Sequence, residues 1–337
     1  MSLASLFTIA PAGGSFTMRF LAVPLCVTFV VACIAAGRHH RRTLVASIAA
    51  AFVLATTWAA LYLWRPRWLV LALEDPRGAV VPSDFVWTER APGLDTTEIA
   101  IDLGGERVDS IALVRIDLAR YRFSVHWDAS GSRPIDVWQR ELGAAVVING
   151  SYFEPDHSPS TPLRIAGAPV GPTDYTSTHG ALVIDDGAVD IVDLRGRDLA
   201  GELARHREAM VSYPLLVDPS GRSRAAGHDD WFANRVFVAL DTSGRIVIGT
   251  TRTGFFSLRR LGDTLERADR LSLRVALNLD GGPLASQIVS VPGYTRTVLG
   301  DAEVTGGHDV LRLAYQRIRH ARGQHIGLPI VLAARAR

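Results

Sequence analysis

The segment Arg274-Val275-Ala276-Leu277-Asn278-Leu279-Asp280-Gly281-Gly282 is an apolar run that ends abruptly in an acid and two glycines. The run 275–279 has the length and composition of a buried β-strand. Glycines can adopt positive φ angles and allow a ligand to approach the backbone closely. We therefore expect Asp280, Gly281 and Gly282 at the rim of a sheet, where they could bind a ligand. The alternative is an ordinary turn after a strand, because Asp is common in turns.

The first part of the chain carries two uncharged apolar stretches, residues 20–37 and 43–64. A helix of roughly 20 residues spans the hydrocarbon core of a bilayer, so each stretch predicts a transmembrane helix. The loop 38–42 between them is Arg-His-His-Arg-Arg, and such basic loops mark the cytoplasmic side. This places the N-terminal tail 1–19 and everything after residue 64 outside, in the periplasm or extracellular space.

Two alternatives for this region remain open. The first stretch could be a cleaved signal sequence, and the residues that precede Cys33 resemble a lipoprotein processing site. Translation could also start at Met18. In either case the second stretch would still anchor the remainder of the chain outside.

The composition excludes several kinds of chemistry. The chain contains no Lys, which excludes Walker-type phosphate loops and Schiff-base lysines. Its only cysteines, Cys26 and Cys33, lie in the first apolar stretch, so no thiol nucleophile or cysteine-ligated zinc is expected beyond it. Six arginines and no acid lie in residues 1–68, which leaves 30 arginines against 34 acids for the remainder. That balance gives no indication of nucleic-acid binding.

Residues 65–90 contain three prolines and predict a short stalk, followed by one domain over 91–337. Strand-like patterns dominate, so the expected fold class is α+β: a mixed, largely antiparallel sheet domain with a few packed helices. We expect a hairpin of 110–118 with 121–127 and another of 234–240 with 245–249. Asp263 is expected to cap the helix that leads into the segment 274–282.

A second strand ends in Asn149-Gly150-Ser151-Tyr152-Phe153, again a short polar side chain followed by glycine. The loop 154–174 after it is long for a compact domain, and such loops are usually functional or disordered. Each of His157, His179 and His228 could act as an acid or base, or ligate a metal beside nearby acids. The alternative for each is a solvated loop histidine, and we predict no metal or cofactor.

Read together, these segments resemble the phosphodiester glycosidase family over about residues 91–337. The pieces occur in the family's order. They are Asn149-Gly150-Ser151-Tyr152-Phe153, then Gly180-Ala181-Leu182-Val183-Ile184, then Asn234-Arg235 at the start of a strand, then Leu261-Gly262 in a helix, and last Asp280-Gly281-Gly282.

The resemblance implies a hydrolase that cleaves the bond between a sugar and a phosphodiester. It implies catalytic roles for Asp280, Arg235 and Asn149. An arginine guanidinium can donate two parallel hydrogen bonds to phosphate oxygens. A carboxylate can serve as nucleophile or general base at an anomeric carbon. Asn149 would bond sugar hydroxyls or phosphate. The substrate-binding residues expected around them are Gly150, Gly281, Gly282, Glu154, His157 and His228.

The chain also departs from the family pattern. Pro283-Leu284-Ala285-Ser286-Gln287 stands where the family commonly has a third glycine and serines, and Val236 and Leu240 replace a usual Thr and Gly. These changes bear on the identity of the substrate. The expected function is a membrane-anchored hydrolase of cell-envelope or extracellular glycans. The alternative is a glycan-binding or exopolysaccharide-assembly protein with the same fold.

Overall fold

The computed structural model describes residues 49–53, 56, 65–173, 180–225, 230–305, 310–321 and 326–337. The chain divides into two compact units, Met1–Arg65 and Pro66–Arg337. The predicted tail, the basic loop and the predicted membrane helices 20–37 and 43–64 lie outside the described residues, except for 49–53 and 56. Within the described ranges, no helix has the length and apolar character needed to cross a bilayer.

The second unit consists mainly of strands. Its helices are α1 (Arg67–Glu74), α2 (Ile135–Leu142), α3 (Leu199–Ala204), α4 (Leu258–Glu266) and α5 (Val310–Ala321). Its strands are β1 (Val81–Pro82), β2 (Thr88–Ala91), β3 (Leu94–Leu103), β4 (Glu106–Ile116), β5 (Tyr121–Trp127), β6 (Val146–Asn149), β7 (Leu163–Ile165), β8 (Ala168–Val170), β9 (Gly180–Asp185), β10 (Ala188–Asp193), β11 (Glu208–Ser212), β12 (Leu215–Val217), β13 (Trp231–Ala233), β14 (Val236–Asp241), β15 (Ile246–Thr251), β16 (Leu273–Asn278), β17 (Ser286–Val291), β18 (Tyr294–Leu299), β19 (Glu303–Thr305) and β20 (Ile330–Ala336).

These strands form four antiparallel sheets. The largest has the order β1-β3-β4-β15-β14-β16-β12, with β2 paired to β3. Two five-stranded sheets have the orders β10-β9-β11-β7-β8 and β18-β17-β6-β20-β5, and β13 pairs with β19. The predicted α+β class with largely antiparallel strands is therefore confirmed, as is the hairpin of β14 with β15.

The central strands of the largest sheet, β14 and β15, are buried on both faces. Successive side chains of a strand point to opposite faces of the sheet. Along β14, Val236, Val238 and Leu240 pack into one hydrophobic cluster together with side chains of the five-stranded sheets. The alternate residues Phe237 and Ala239 belong to a second cluster, which includes side chains of α1 and α4. Strands covered on both faces read as continuous apolar runs, as β14 and β16 do.

The predicted stalk is wrong for the part that forms α1. Trp68, Leu69 and Ala72 of this helix are buried in the second cluster. These positions fall on one helical face, so α1 is an amphipathic helix of the domain and not a linker. The main chain just after it is also held, since the Arg260 guanidinium donates to the carbonyl of Asp75.

The predicted hairpin of 110–118 with 121–127 is also wrong, although both segments are strands. β4 pairs with β3 and β15, whereas β5 pairs with β20 near the end of the chain. The short connection between β4 and β5 therefore takes the chain from one sheet to another.

The helix α4, which precedes the segment 274–282, begins earlier than predicted. Ser257 caps α4, and its hydroxyl accepts from the backbone N–H of Arg260 at 3.2 Å. Asp263 lies inside the helix. The first turn of α4 lies before Asp263 and contains Leu261, which is buried in the core and so stabilises the longer helix.

Candidate active site

Three strand ends meet at the segment that begins with Asp280. β16 pairs with β14, and the N–H of Gly282 donates to the carbonyl of Asn234 at 2.8 Å just before β14 begins. The N–H of Asp280 donates to the carbonyl of Gly150 at 3.1 Å, directly after β6. The ends of β6, β14 and β16 therefore bring Asn149, Arg235 and Asp280 to one place at the sheet rim.

Asn149 connects two of these ends through its side chain. It is only 2% exposed. Its Nδ2 donates to the carbonyl of Asp280 at 2.8 Å, and its Oδ1 accepts from the N–H of Ser286 at 2.9 Å. Both polar atoms of the amide thus bond to backbone. Asn149 braces the segment 280–286 and does not present its amide to a ligand as the sequence predicted.

Arg235 is a buried cation, 6% exposed. Its Nε donates to the carbonyl of Phe256 at 3.1 Å, and its Nη2 donates to the carbonyl of Trp231 at 2.7 Å. Among the described residues no carboxylate bonds to this guanidinium, and these two contacts leave Nη1 for a ligand. Burial lowers the pKa of Arg235 to about 10, so the group stays charged at neutral pH.

Asp280 lies at the end of β16 with its side chain partly buried. Its Oδ1 accepts from the N–H of Gly281 at 2.8 Å. Burial raises the pKa of Asp280 to about 7, the carboxylate of Glu303 acts in the same direction, and the N–H of Gly281 and the Arg235 cation oppose the rise. A carboxyl group with this pKa can take up or release a proton near neutral pH, as acid–base catalysis requires.

Sequence reasoning missed Glu303, which β19 brings to the site. Its Oε1 accepts from the indole N–H of Trp231 at 3.1 Å, and its Oε2 accepts from Nη2 of Arg312 at 2.6 Å. Its charge affects the pKa values of both Asp280 and Arg235. No local motif marks this residue, because it reaches the site only through the pairing of β19 with β13.

The backbone at position 282 favours glycine over any other residue. Its φ angle is +62°, which disfavours other residues, and a Cβ there would lie 3.3 Å from the Glu303 carboxyl carbon. Gly281 is equally close to backbone, since a Cβ there would lie 2.6 Å from the carbonyl oxygen of Asn234. A Cβ at Gly150 would meet the Ile330 side chain at 2.3 Å. All three predicted glycines therefore permit close packing around the site.

Tyr152 is a second residue that the roles assigned from sequence left out. Its hydroxyl donates to the carbonyl of Tyr213 at 2.9 Å and accepts from Nδ2 of Asn278 at 2.7 Å. Its ring stacks on that of Tyr213 with centroids 4.5 Å apart. Burial raises the pKa of Tyr152 well above its usual value, and the charge of Asp280 adds to the rise. The sequence signal that could have identified Tyr152 is its aromatic position in the motif Asn149-Gly150-Ser151-Tyr152-Phe153.

Glu154 and His157 are not brought to this site. The N–H of Glu154 donates to the carbonyl of Ser158 at 2.8 Å, so the chain turns back and leaves Glu154 exposed. The His157 ring packs against Gly131. The backbone carbonyl of His157 accepts a hydrogen bond from the indole N–H of Trp127 at 3.0 Å. In the described structure no hydrogen bond or ion pair joins either side chain to Asp280, and their role in substrate binding remains a prediction.

His228 and His179 lie outside the described residues, so their predicted roles remain predictions. Within the described part of the chain, no three His, Cys, Asp or Glu side chains are grouped closely enough to hold a metal ion.

The fold is similar to that of one solved enzyme domain. The zebrafish N-acetylglucosamine-1-phosphodiester alpha-N-acetylglucosaminidase catalytic domain, solved in a form auto-inhibited by its pro-peptide, superimposes with a TM-score of 0.50. The two sequences are 13% identical, and the alignment covers 77% of this chain and 89% of the zebrafish domain. At this identity the match demonstrates a shared fold and no more.

A hypothetical protein from Synechocystis also matches, with a TM-score of 0.47 and 14% identity. That alignment covers 76% of this chain and 64% of the Synechocystis protein. The comparison with curated protein sequences gives no significant match.

A family model matches part of the sequence. Residues 142–304 match the model of the phosphodiester glycosidase family, NAGPA. This part of the chain is therefore similar to the phosphodiester glycosidase family, the family that its motifs indicated. The matched range contains Asn149, Arg235, Asp280 and Glu303.

Proposed function

We propose that this domain hydrolyses the bond between a sugar and the phosphate of a sugar-1-phosphodiester. The observation that carries the proposal is the Arg235 guanidinium, which is buried beside Asp280 and held by neutral carbonyl groups. A buried cation without a bonded carboxylate is costly to maintain, and an anionic ligand would offset that cost. A phosphodiester supplies one negative charge with the oxygen geometry that an Arg binds well.

In the proposed reaction, Nη1 of Arg235 binds a phosphate oxygen and places the anomeric carbon next to Asp280. Ionised Asp280 either attacks the anomeric carbon and forms a glycosyl ester that water then hydrolyses, or takes a proton from the water that attacks this carbon. The bond between the anomeric carbon and the phosphate oxygen breaks, and its electron pair leaves with the phosphomonoester. Because a phosphomonoester is a good leaving group, this step needs less protonation than ordinary glycoside cleavage.

The direct test is release of free sugar by the purified 337-residue chain in detergent. N-acetylglucosamine 1-(methyl phosphate) is a suitable probe, since it contains the reacting bond and a minimal alcohol. We expect free sugar and methyl phosphate as products. Absence of turnover over a range of sugar-1-phosphodiesters would contradict the proposal.

Non-catalytic glycan binding is the second candidate. The observation in its favour is the turn at Gly282–Leu284, where Pro283 replaces the usual glycine directly after Asp280-Gly281-Gly282. The turnover assay separates the two candidates: saturable binding of the diester with no sugar released would favour binding alone.

We further propose that residues 20–37 and 43–64 anchor the domain on the outer side of the membrane, where its substrate would be a cell-envelope or extracellular glycan. The basic loop 38–42 supports this orientation. Protease treatment of intact cells tests it. Cleavage within the domain after residue 90 is expected, and protection of that domain with cleavage in the loop would contradict the orientation.

A further inference from the structure

A cavity of about 310 Å³ lies beside the proposed active site. This volume is at the lower end of the range for small-molecule sites. Its lining combines apolar walls with basic side chains, and none of the described lining residues is acidic. The residues that matter here are Ile135, Pro283, Leu299, Tyr315, Arg312 and Arg319.

The cavity and the Asp280 site are built on the same backbone segments. Pro283 lines the cavity and directly follows Gly282. Gly300 also lines it and packs so closely on Gly282 that a Cβ at Gly300 would lie 2.2 Å from the Gly282 carbonyl oxygen. On the α5 side, the lining residue Arg312 bonds the carboxylate of Glu303 at 2.6 Å. A ligand held at Arg235 and Asp280 therefore has this cavity as a neighbour.

The lining indicates what chemistry the cavity would accept. The Ile135, Leu299 and Pro283 side chains have no hydrogen-bonding groups, so a sugar placed against them would lose bonds to water without replacement. An alkyl chain or apolar ring would instead gain free energy by leaving water. Arg319 places a positive charge at the cavity, and Arg312 does so while paired with Glu303, so the lining is compatible with a ligand that has a negative charge close to its apolar part.

We propose that this cavity binds the apolar portion of the alcohol that is esterified to the phosphate. The preferred substrates would then be sugar-1-phosphodiesters of alcohols with an alkyl chain or apolar ring. The assignment of the bound group as the leaving alcohol rests on the proposed function, whereas its binding can be measured without any turnover.

The test compares n-octyl phosphate with methyl phosphate, both used below the micelle-forming concentration, by calorimetry on the full chain. We expect octyl phosphate to bind at least about tenfold more tightly, which burial of about two methylene groups would produce. Tyr315→Ala and Leu299→Asn should each reduce this preference at least about threefold. Tyr315 is 61% exposed, so its replacement should not disturb the fold.

Ile318→Ala is the matched control. Ile318 lies on the same helix, is 50% exposed and does not line the cavity. Its replacement should leave the preference for octyl phosphate unchanged. Equal affinities for the two phosphates, or a preference that survives both cavity substitutions, would overturn the proposal.

The outcomes also separate this proposal from the proposed function. Hydrolysis of the methyl diester without any preference for octyl phosphate would overturn only the cavity assignment. A cavity-dependent preference for octyl phosphate with no hydrolysis of any diester would contradict the proposed reaction and support the binding site.

Discussion

At the scale of single residues, the site is defined by the buried Arg235 and the partly buried Asp280, whose pKa values are both shifted. Burial lowers the pKa of Arg235 to about 10 and raises the pKa of Asp280 to about 7. Strongly shifted groups of this kind are enriched at functional sites, because charge interactions strengthen where water is excluded. In the described structure the two side chains are not joined by a hydrogen bond, which leaves each available to a substrate.

The pH dependence of hydrolysis should report the pKa of Asp280. As base or nucleophile, Asp280 must be ionised, so kcat/KM should fall about tenfold per pH unit below about pH 7. Glu303→Gln removes a negative charge that raises this pKa, so the fall should move to lower pH. Stopped assays across pH 4 to 9 measure both profiles.

Glu98→Gln is the control for that shift, since Glu98 forms an ion pair with Arg252 at 3.0 Å and has no contact with Asp280. If the Glu303 and Glu98 variants have the same profile as the wild type, Glu303 does not affect the pKa of the Asp280 carboxyl group.

Replacing Arg235 should weaken binding of the phosphodiester. Arg235→Ala removes a desolvated, charge-assisted contact, with an expected loss on the order of 2 to 5 kcal/mol. Arg274→Ala is the control, because Arg274 lies on β16 in an exposed ion pair with Asp190. Calorimetric titration with the diester measures the loss, with circular dichroism to verify folding. Equal affinities of the two variants would exclude Arg235 as the phosphate ligand.

At the scale of secondary-structure elements, the site depends on how the segment after β16 is held. Asn149 spans this segment, with one amide atom on the carbonyl of Asp280 and the other on the N–H of Ser286. Its position at the end of β6 therefore fixes where Asp280 points. The role that sequence reasoning gave to Asn149 in substrate contact is replaced by a positioning role.

Asn149→Ala should consequently destabilise the fold. It removes the partner of the buried N–H of Ser286, at a cost of about 1 to 3 kcal/mol, and also the partner of the partly buried carbonyl of Asp280. Gln139→Ala is the comparison, since that side chain makes one bond, to the carbonyl of Ala144 at 3.0 Å. Urea denaturation measures the loss in free energy of unfolding for both variants. A smaller loss for Asn149→Ala than for Gln139→Ala would refute the bracing role.

Elements with local signals could be predicted from sequence, and those with distant partners could not. The hairpin of β14 with β15 and the strand before Asp280 follow from apolar runs and turn residues. The partner of β5 is β20, more than 200 residues further on, and no local pattern identifies it. Glu303 was missed for the same reason, because the pairing of β19 with β13 brings it to the site.

At the scale of the whole molecule, the Asp280 carboxyl group should reduce stability at neutral and alkaline pH. Its pKa is about 7 in the folded state and 3.8 for an unperturbed group. A raised folded-state pKa means that stability falls as the pH rises from about 4 to 7 and stays lower above that. Asp280→Asn lacks this ionisation.

The melting temperature of Asp280→Asn minus that of the wild type should therefore be larger at pH 8 than at pH 5. Asp109, whose pKa burial also raises to about 7, is present in both proteins and cancels in the comparison. Differential scanning calorimetry at the two pH values measures the difference. The same difference at both pH values would show that Asp280 ionises as easily in the folded chain as in water.

The measurement that tests the central claim most directly is turnover of a sugar-1-phosphodiester by wild type and by Asp280→Asn, with diester binding measured in parallel. The substitution is nearly isosteric, so the fold and the Arg235 site should persist. The proposed mechanism predicts sugar release by the wild type, loss of release in the variant, and binding of the diester by both. Sugar release by Asp280→Asn at the wild-type rate would contradict it.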